Sequence, residues 1–267
     1  MIHYFGFGSN MNIASLRAKG VVPLSSRRAK LTGWRLKFNV EHFFRHEGGV
    51  GNIEYTGCEN DQVLGMLHIC DSTALPYLDD AEAYGYGYDR IEVNVSVLDD
   101  PQKPSQATTY IGMPAFINNQ CLPSQRYLNI VVKGATEAGL DATYIRQLMT
   151  HPVHQPQYYP KFTLPAGEHP EFNASMLTSQ PLYTALHGCV FDMSDAQPRH
   201  EFLKGFFGGR DMTLFHLQRM DTSTQDESLD MIRHGRLNEA QQHYLDAYLH
   251  EYAREYRFVG HYNYELD

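Results

Sequence analysis

The chain has 267 residues, of which 42% are hydrophobic, and its formal net charge is −9. A negative charge disfavours nonspecific nucleic-acid binding, which depends on the neutralisation of phosphates by Lys and Arg. No run approaches the roughly 18 to 20 consecutive apolar residues of a membrane-spanning helix, so we expect no membrane span. The length suits one large domain or two of ordinary size, and we expect two.

Four cysteines are scattered along the chain without Cys-x-x-Cys spacing: Cys58, Cys70, Cys121 and Cys189. This pattern argues against a zinc site and against a disulfide framework. The amino terminus has no basic segment followed by an apolar run and a small-residue cleavage site. We therefore expect a cytoplasmic protein with reduced thiols. The sequence leaves its oligomeric state open.

The segment 4–12 reads as a strand, a tight turn and the start of a helix. An apolar run over 2–7 breaks into Gly8, Ser9 and Asn10. Such a turn presents backbone N–H groups at a helix start, where the helix dipole also favours negative charge. Ser9 and Asn10 can either cap the helix or donate to a ligand. The spacing suits a small anion site and, equally, an ordinary capped turn.

Alternation of apolar and polar residues predicts strands over 31–40 and 91–98, and an apolar run predicts a buried strand over 63–69. Three glycines between the first of these strands and the strand over 63–69 predict a loop that leads into a strand: Gly48, Gly49 and Gly51. No phosphate-loop lysine follows them, so they are not a nucleotide-binding signature.

The segment 72–83 has the spacing of a short helix with an apolar face, and Ser72 or Thr73 is placed to cap it. Glu82 falls on or beside the apolar face. It is either a surface residue close to that face or a carboxylate held in a desolvated pocket for acid–base chemistry.

The rest of the chain predicts further short elements of both kinds. Ser124 and Asp141 are placed to cap two helices, and five prolines in 151–170 indicate a linker or surface segment. Asn238 and Gln241 have the spacing of a capping box at the start of a long helix. Mixed strands and short helices favour an α+β fold.

Three ordered motifs in the first half resemble the γ-glutamylcyclotransferase family. They are Tyr4-Phe5-Gly6-Phe7-Gly8-Ser9-Asn10-Met11, Leu78-Asp79-Asp80-Ala81-Glu82, and Pro123-Ser124-Gln125-Arg126-Tyr127 with its continuation over 133–140. The resemblance covers about residues 1–152. It implies a small mixed β-barrel with peripheral helices.

The resemblance also implies a reaction and a site. In a γ-glutamyl compound the α-amine attacks the γ-carbonyl, which releases 5-oxoproline and an amine or amino acid, and neither a metal nor a cofactor is required. Glu82 matches the family's acid/base glutamate. The implied substrate-binding residues are Tyr4, Phe7, Gly8, Ser9, Asn10, Tyr88, Tyr110 and Tyr127. Phe7 stands where the family commonly has tyrosine.

After a linker over 153–167, residues 168–267 resemble the cytochrome b5-like haem and steroid-binding family, especially its membrane-associated progesterone receptor branch. The matching pieces are 182–194, 207–213 and 237–260. This resemblance implies a smaller α+β domain with haem as the candidate cofactor, and His200 stands in the place of a haem histidine. No complete His-Pro-Gly-Gly loop is present, so a structural role for His200 is the alternative. The alternative for the whole protein is a non-catalytic binder of a small ligand, haem or a sterol.

Overall fold

The computed structural model describes residues 1–266, apart from the side chain of residue 101. The chain forms two compact units. The first comprises Met1–His42 and Glu47–Gln155, and the second comprises Phe43–His46 and Pro156–Asp267. A four-residue segment from the amino-terminal half of the sequence is therefore part of the second unit, and no sequence pattern indicates this.

The first unit contains seven strands and four α-helices within the part of the chain that the structure describes. The strands are β1 (Ile2–Gly6), β2 (Ser25–Thr32), β3 (Trp34–Glu41), β4 (Gly49–Tyr55), β5 (Gln62–Cys70), β6 (Tyr88–Val97) and β7 (Asp100–Gly112). The helices are α1 (Ile13–Ala18), α2 (Ala74–Ala81), α3 (Gln125–Glu137) and α4 (Ala142–Met149).

Five of these strands close a barrel in the order β1, β5, β2, β6, β7, and β3 pairs with β4 in a separate ribbon. A parallel contact between Tyr4 on β1 and Thr108 on β7 completes the barrel. The hydroxyl of Thr109 donates a hydrogen bond of 2.8 Å to the carbonyl oxygen of Phe5 at the same seam. The predicted α+β class and the small mixed barrel with peripheral helices are confirmed.

Strand β5 is buried on both faces, which explains its continuous apolar sequence. Val63 and Leu67 point into the barrel interior, whereas Leu64 and Met66 pack on the side that carries α3. A strand covered on both faces loses the alternation of a half-buried strand. Strand β6, by contrast, shows alternation, because buried and more exposed positions follow one another along it.

Two local predictions in this unit are wrong. Gly49 and Gly51 lie within β4 rather than in a loop, because the ribbon packs so closely that a Cβ at Gly49 would collide with the carbonyl oxygen of Phe38. Thr73 makes no side-chain capping bond to α2. The carboxylate of Asp71 instead accepts the N–H of Thr73 at 3.0 Å.

The second unit is a five-stranded sheet with helices. Its strands are β8 (Glu171–Phe172), β9 (Tyr183–Leu186), β10 (Cys189–Asp192), β11 (Arg210–Asp211) and β12 (Arg257–Tyr262), in the order β11, β9, β10, β12, β8. Its helices are α5 (Ala174–Thr178), α6 (Glu201–Phe207), α7 (Thr213–Leu217), α8 (Leu229–Arg233) and α9 (Glu239–Glu255). The predicted capping box of Asn238 and Gln241 is present at the start of α9.

Aromatic side chains dominate the core of the second unit. Phe44 is 2% exposed, and its ring lies 5.2 Å from that of Tyr252 and 5.3 Å from that of Tyr248, between ring centroids. It also stacks on Phe207 at 6.2 Å. The segment Phe43–His46 thus contributes a central residue to this core.

Among the helices in residues 1–266, none is long and apolar enough to cross a bilayer.

Candidate active site

The turn after β1 is built from two short helical pieces. Residues Ser9–Met11 form a single 3₁₀ turn, and Asn12 then caps α1 by accepting the N–H of Ser15 at 2.9 Å. The capping role expected for Ser9 or Asn10 therefore falls to Asn12. This leaves the side chain of Asn10, which is 4% exposed, for contacts inside the first unit.

Asn10 connects the turn to Glu82. Its amide nitrogen donates to Oε1 of Glu82 at 2.8 Å and to the hydroxyl of Tyr4 at 2.5 Å. Its amide oxygen accepts from Nζ of Lys19 at 2.5 Å. The turn and the Leu78-Asp79-Asp80-Ala81-Glu82 motif, which are about seventy residues apart in the sequence, are thus joined by one direct hydrogen bond.

Glu82 is the residue immediately after α2, and its side chain is 15% exposed. The helix ends at this point because Ala83 has a φ of +50°. Such a backbone conformation costs a non-glycine residue on the order of 1 kcal/mol. At this position the side chain of Glu82 contacts Asn10 and Lys19.

Two of the predicted tyrosines meet at one glycine of β4. The hydroxyl oxygen of Tyr127 accepts the N–H of Gly51 at 3.0 Å. The hydroxyl of Tyr88 donates to the carbonyl oxygen of Gly51 at 2.7 Å. The phenol oxygen of Tyr127 therefore lies at a backbone N–H of β4 and beside Gly8 of the turn. A backbone N–H in such a place also suits a negatively charged oxygen.

Tyr110 is held by a carboxylate from the Glu82 motif. Its hydroxyl donates to Oδ1 of Asp79 at 2.7 Å, and Arg90 pairs with Oδ2 of the same residue at 2.8 Å. The guanidinium of Arg90 in turn lies 4.4 Å from the ring centre of Tyr84. These contacts hold the hydroxyl of Tyr110 in place.

The negative charge of Glu82 reaches all four of these phenols. Burial raises the pKa of Tyr4, and the charge of Glu82 is the second cause. Burial is also the largest cause of the raised pKa of Tyr88, Tyr110 and Tyr127, and Glu82 contributes to each. The four phenols are therefore neutral at pH 7 and act as hydrogen-bonding groups, not as bases.

The remaining predicted substrate-binding residues, Phe7 and Gly8, lie close to Gly51 and Tyr127. Phe7 is 7% exposed and packs against Phe5 in the barrel core. A Cβ at Gly8 would lie 3.0 Å from the hydroxyl of Tyr127. The structure thus brings together the turn, Glu82 and the four tyrosines. In residues 1–266 no group of three or more His, Cys, Asp or Glu side chains is arranged to hold a metal ion.

Comparison with known proteins gives matches in this part of the chain. The sequence model of the AIG2-like family matches residues 62–148. The gamma-glutamyl cyclotransferase gliK of Claviceps purpurea is 27% identical over 147 residues, which is 53% of this chain and 66% of that protein. The chain is thus similar in sequence to the AIG2-like family within the first unit, and to a γ-glutamyl cyclotransferase over about half of its length.

Two further relatives give the extent of the similarity. The gamma-glutamyl cyclotransferase gliK of Aspergillus fumigatus is 24% identical over 176 residues, covering 58% of this chain and 64% of that protein. The chain therefore matches just under two thirds of the length of each of the two curated relatives. A solved structure of a gamma-glutamyl cyclotransferase is 23% identical, with a TM-score of 0.48, and covers 57% of this chain and 89% of that chain.

The first unit holds its turn in place through a buried histidine. His68 on β5 lies directly across from Tyr4 on β1 and from Ser26 on β2. Its Nε2 lies 3.0 Å from the carbonyl oxygen of Asn10, which can only accept, so Nε2 carries the proton. Nδ1 then accepts from the hydroxyl of Ser26 at 2.8 Å.

The neutral state of His68 predicts a loss of stability in acid. Burial lowers its pKa from 6.5 to about 4. Between these two pH values the unfolded chain binds a proton that the folded chain does not, so stability falls as the pH is lowered. The expected contribution is a loss of about 2 to 3 kcal/mol between pH 7 and pH 4.

Urea unfolding of the wild type and of His68→Gln at both pH values measures this contribution. The difference in unfolding free energy between the two pH values should be smaller in the variant by about that amount. His3→Gln, at an exposed position, is the matched control and should behave like the wild type. An equal acid loss in wild type and His68→Gln would contradict the prediction.

The close approach of Tyr127 to β4 depends on glycine at position 51. A Cβ there would lie 2.9 Å from the Tyr127 hydroxyl, which is closer than such atoms approach. Gly51→Ala should therefore displace the phenol and weaken its bond to the Gly51 N–H. The loss of about one hydrogen bond, roughly 1.4 kcal/mol, corresponds to a tenfold lower kcat/KM for a substrate of this site.

Steady-state kinetics of Gly51→Ala test this expectation. Gly205→Ala in the second unit is the control, because a Cβ there meets nothing within 4 Å. Wild-type kcat/KM in Gly51→Ala would show that the position of Tyr127 does not matter for the reaction.

Sequence reasoning missed three residues that support the site, Lys19, His68 and Asp79. Asp79 stands inside a motif that was recognised, so its position offered a signal for a supporting role. Lys19 and His68 carry no local pattern that connects them to Asn10. Their contacts depend on strand register and on the turn after α1.

The second unit places His200 differently from a haem ligand. Its Nδ1 lies 2.9 Å from the hydroxyl of Tyr256, and its Nε2 lies 3.0 Å from the carbonyl oxygen of Phe43. Burial lowers its pKa. Because both ring nitrogens are hydrogen-bonded, His200 does not fit a haem iron without loss of one bond. The cytochrome b5-like character of this unit stays a prediction.

Proposed function

We propose that the protein is a γ-glutamylcyclotransferase that converts a γ-glutamyl compound into 5-oxoproline and a free amine or amino acid. The observation that carries the proposal is the hydrogen bond between Glu82 and Asn10 of the turn, in a site lined by four neutral phenols. A carboxylate, a backbone anion site and neutral hydrogen-bonding groups are the components that this reaction needs.

The reaction is intramolecular, which suits a site without an enzyme nucleophile. The α-amine of the substrate attacks its own γ-carbonyl carbon, a C–N bond closes the five-membered ring, and the bond from that carbon to the leaving nitrogen breaks. A site that holds the γ-glutamyl group in a folded conformation supplies much of the acceleration, because the two reacting atoms are already adjacent.

Proton transfer is the part of the reaction that needs Glu82. The α-nitrogen loses two protons on the way from ammonium to lactam, and the leaving nitrogen gains two on the way from amide to ammonium. Glu82 takes a proton from the α-nitrogen and delivers it to the leaving nitrogen, and the second proton exchanges through solvent. The reaction is therefore neutral in protons overall.

Backbone N–H groups are proposed to stabilise the negative oxygen of the substrate. The N–H of Gly51 donates to the phenol oxygen of Tyr127, and Gly8 of the turn lies beside the same oxygen. A carboxylate or the oxyanion of the γ-carbon would share or replace this bond. The neutral state of Tyr127 lets it donate its own proton to such an oxygen.

The test is release of 5-oxoproline from three substrate classes: γ-glutamyl amino acids, γ-glutamylamines and glutathione. The expected product is 5-oxoproline, whereas a hydrolase would release glutamate. An N-acetylated γ-glutamyl amino acid should be inert, because its blocked nitrogen cannot attack. Inactivity on all three classes would reject the proposal and favour a non-catalytic binder of small ligands.

A further inference from the structure

The ammonium of Lys19 completes the polar cluster around Glu82. Lys19 is the first residue after α1, and its side chain is 10% exposed. Its Nζ lies 2.5 Å from Oδ1 of Asn10 and 3.4 Å from Oε1 of Glu82. A lysine buried to this extent needs an anionic or hydrogen-bonding partner, and this one has both.

Lys19 is the cation in contact with the carboxylate of Glu82. Burial and the charge of Glu82 raise the pKa of the neighbouring phenols of Tyr4 and Tyr127, so these phenols stay neutral and add no second negative charge beside Glu82. Arg90 is paired with Asp79. The ammonium of Lys19 is in direct contact with Glu82 and stabilises the negative charge of its carboxylate.

The contacts also distinguish the two oxygens of Glu82. Asn10 and Lys19 both donate to Oε1. Oε2 accepts no hydrogen bond from any residue within 1–266. One oxygen is therefore anchored, and the other is available to a substrate.

Lys19 further determines the orientation of Asn10. An ammonium has only donors, so it must face the amide oxygen of Asn10. The amide nitrogen then faces Glu82 and Tyr4, as observed. Without the ammonium of Lys19, the exchange of the amide oxygen and nitrogen of Asn10 by rotation would no longer place an N–H group against a positive charge.

We propose that Lys19 is a positioning residue, which together with Asn10 anchors Glu82 through Oε1, so that Oε2 faces the α-amine of the substrate. This inference rests on the proposed function. It assigns the proton transfer to Oε2 and makes the cation at position 19 necessary for it.

Three variants test the inference: Lys19→Met, Lys19→Arg and the control Lys133→Met at an exposed position of α3. Lys19→Met keeps the length and apolar stem of the side chain but removes its charge. Its kcat should fall about 100-fold, which is the cost of a misplaced catalytic group, with KM changed less than threefold. Lys19→Arg keeps the charge and should retain a kcat within tenfold of the wild type, and Lys133→Met should match the wild type.

Two results would overturn the inference. If Lys19→Met raises KM at unchanged kcat, Lys19 binds the substrate instead of positioning Glu82. If Lys19→Arg loses as much kcat as Lys19→Met, the cation is not what matters.

A second measurement does not depend on activity and separates this inference from the proposed function. Thermal unfolding of Lys19→Met, Glu82→Gln and the double variant forms a double-mutant cycle. If the two groups interact as inferred, the double variant should lose less Tm than the sum of the two single losses. Additive losses would overturn the inference, whereas a wild type without turnover on any γ-glutamyl substrate rejects only the proposed function.

Discussion

Replacing Glu82 with glutamine should lower kcat for 5-oxoproline release by about 10²- to 10⁴-fold, the contribution of a positioned general acid–base group. The amide oxygen of glutamine can take the place of Oε1 and still accept from Asn10, which donates to it at 2.8 Å in the wild type. The other end of the amide cannot take a proton from an ammonium. Chemistry should therefore be lost while the fold is kept.

The kinetic pattern distinguishes this role from substrate binding. An interaction made only in the transition state lowers kcat and kcat/KM together, whereas loss of ground-state binding raises KM. Glu59→Gln is the control, because Glu59 is an exposed glutamate with no role in the site. A Glu82→Gln variant with wild-type kcat would remove Glu82 from the mechanism.

Replacing Phe44 with alanine should lower the unfolding free energy of the second unit by about 3 to 5 kcal/mol, the usual cost of truncating a buried phenylalanine. The ring is 2% exposed and lies among the rings of Phe207, Tyr248 and Tyr252. These neighbours are large and held by their own contacts, so they cannot fill the cavity. The effect is notable because Phe44 lies more than a hundred residues before the rest of this unit.

Hydrogen exchange resolves this effect by region. Amides of α9 and β10 should exchange faster in Phe44→Ala at concentrations of urea that leave the wild type protected. Tyr158→Ala is the control, since that side chain is 80% exposed. A loss of less than 1 kcal/mol in the second unit would mean that Phe44 is not central to its core.

Much of the local structure follows from the sequence because its causes are local. Ser124 and Asp141 cap α3 and α4, and the capping box at α9 forms at the predicted residues. Each of these bonds joins residues two or three positions apart. The predictions at Gly49 and Gly51 fail because these residues pack against residues far from them in the sequence. The prediction at Thr73 fails because the side chain of Asp71 accepts the N–H of Thr73.

The residues of the candidate site could be predicted from the sequence because three motifs occur in the same order as in the family that they resemble. The turn, Glu82 and the four tyrosines were named from the sequence, and the structure brings them to one place. Their functional roles stay predictions until the variants are measured. The supporting residues were not accessible, because Lys19 reaches Asn10 only through the fold of the turn, and His68 reaches it only through the register of β5 against β1.

The sequence by itself determined the α+β class, the caps of α3, α4 and α9, and the strand, turn and helix around Gly8, since short-range hydrogen bonds and the period of apolar residues specify these features. Tertiary structure decided which oxygen of Glu82 is anchored, where His68 and Lys19 lie, and that Phe43–His46 belong to the second unit. These features depend on side chains far apart in the sequence. Barrel closure, strand register and core packing bring such side chains together, and no local pattern records that outcome.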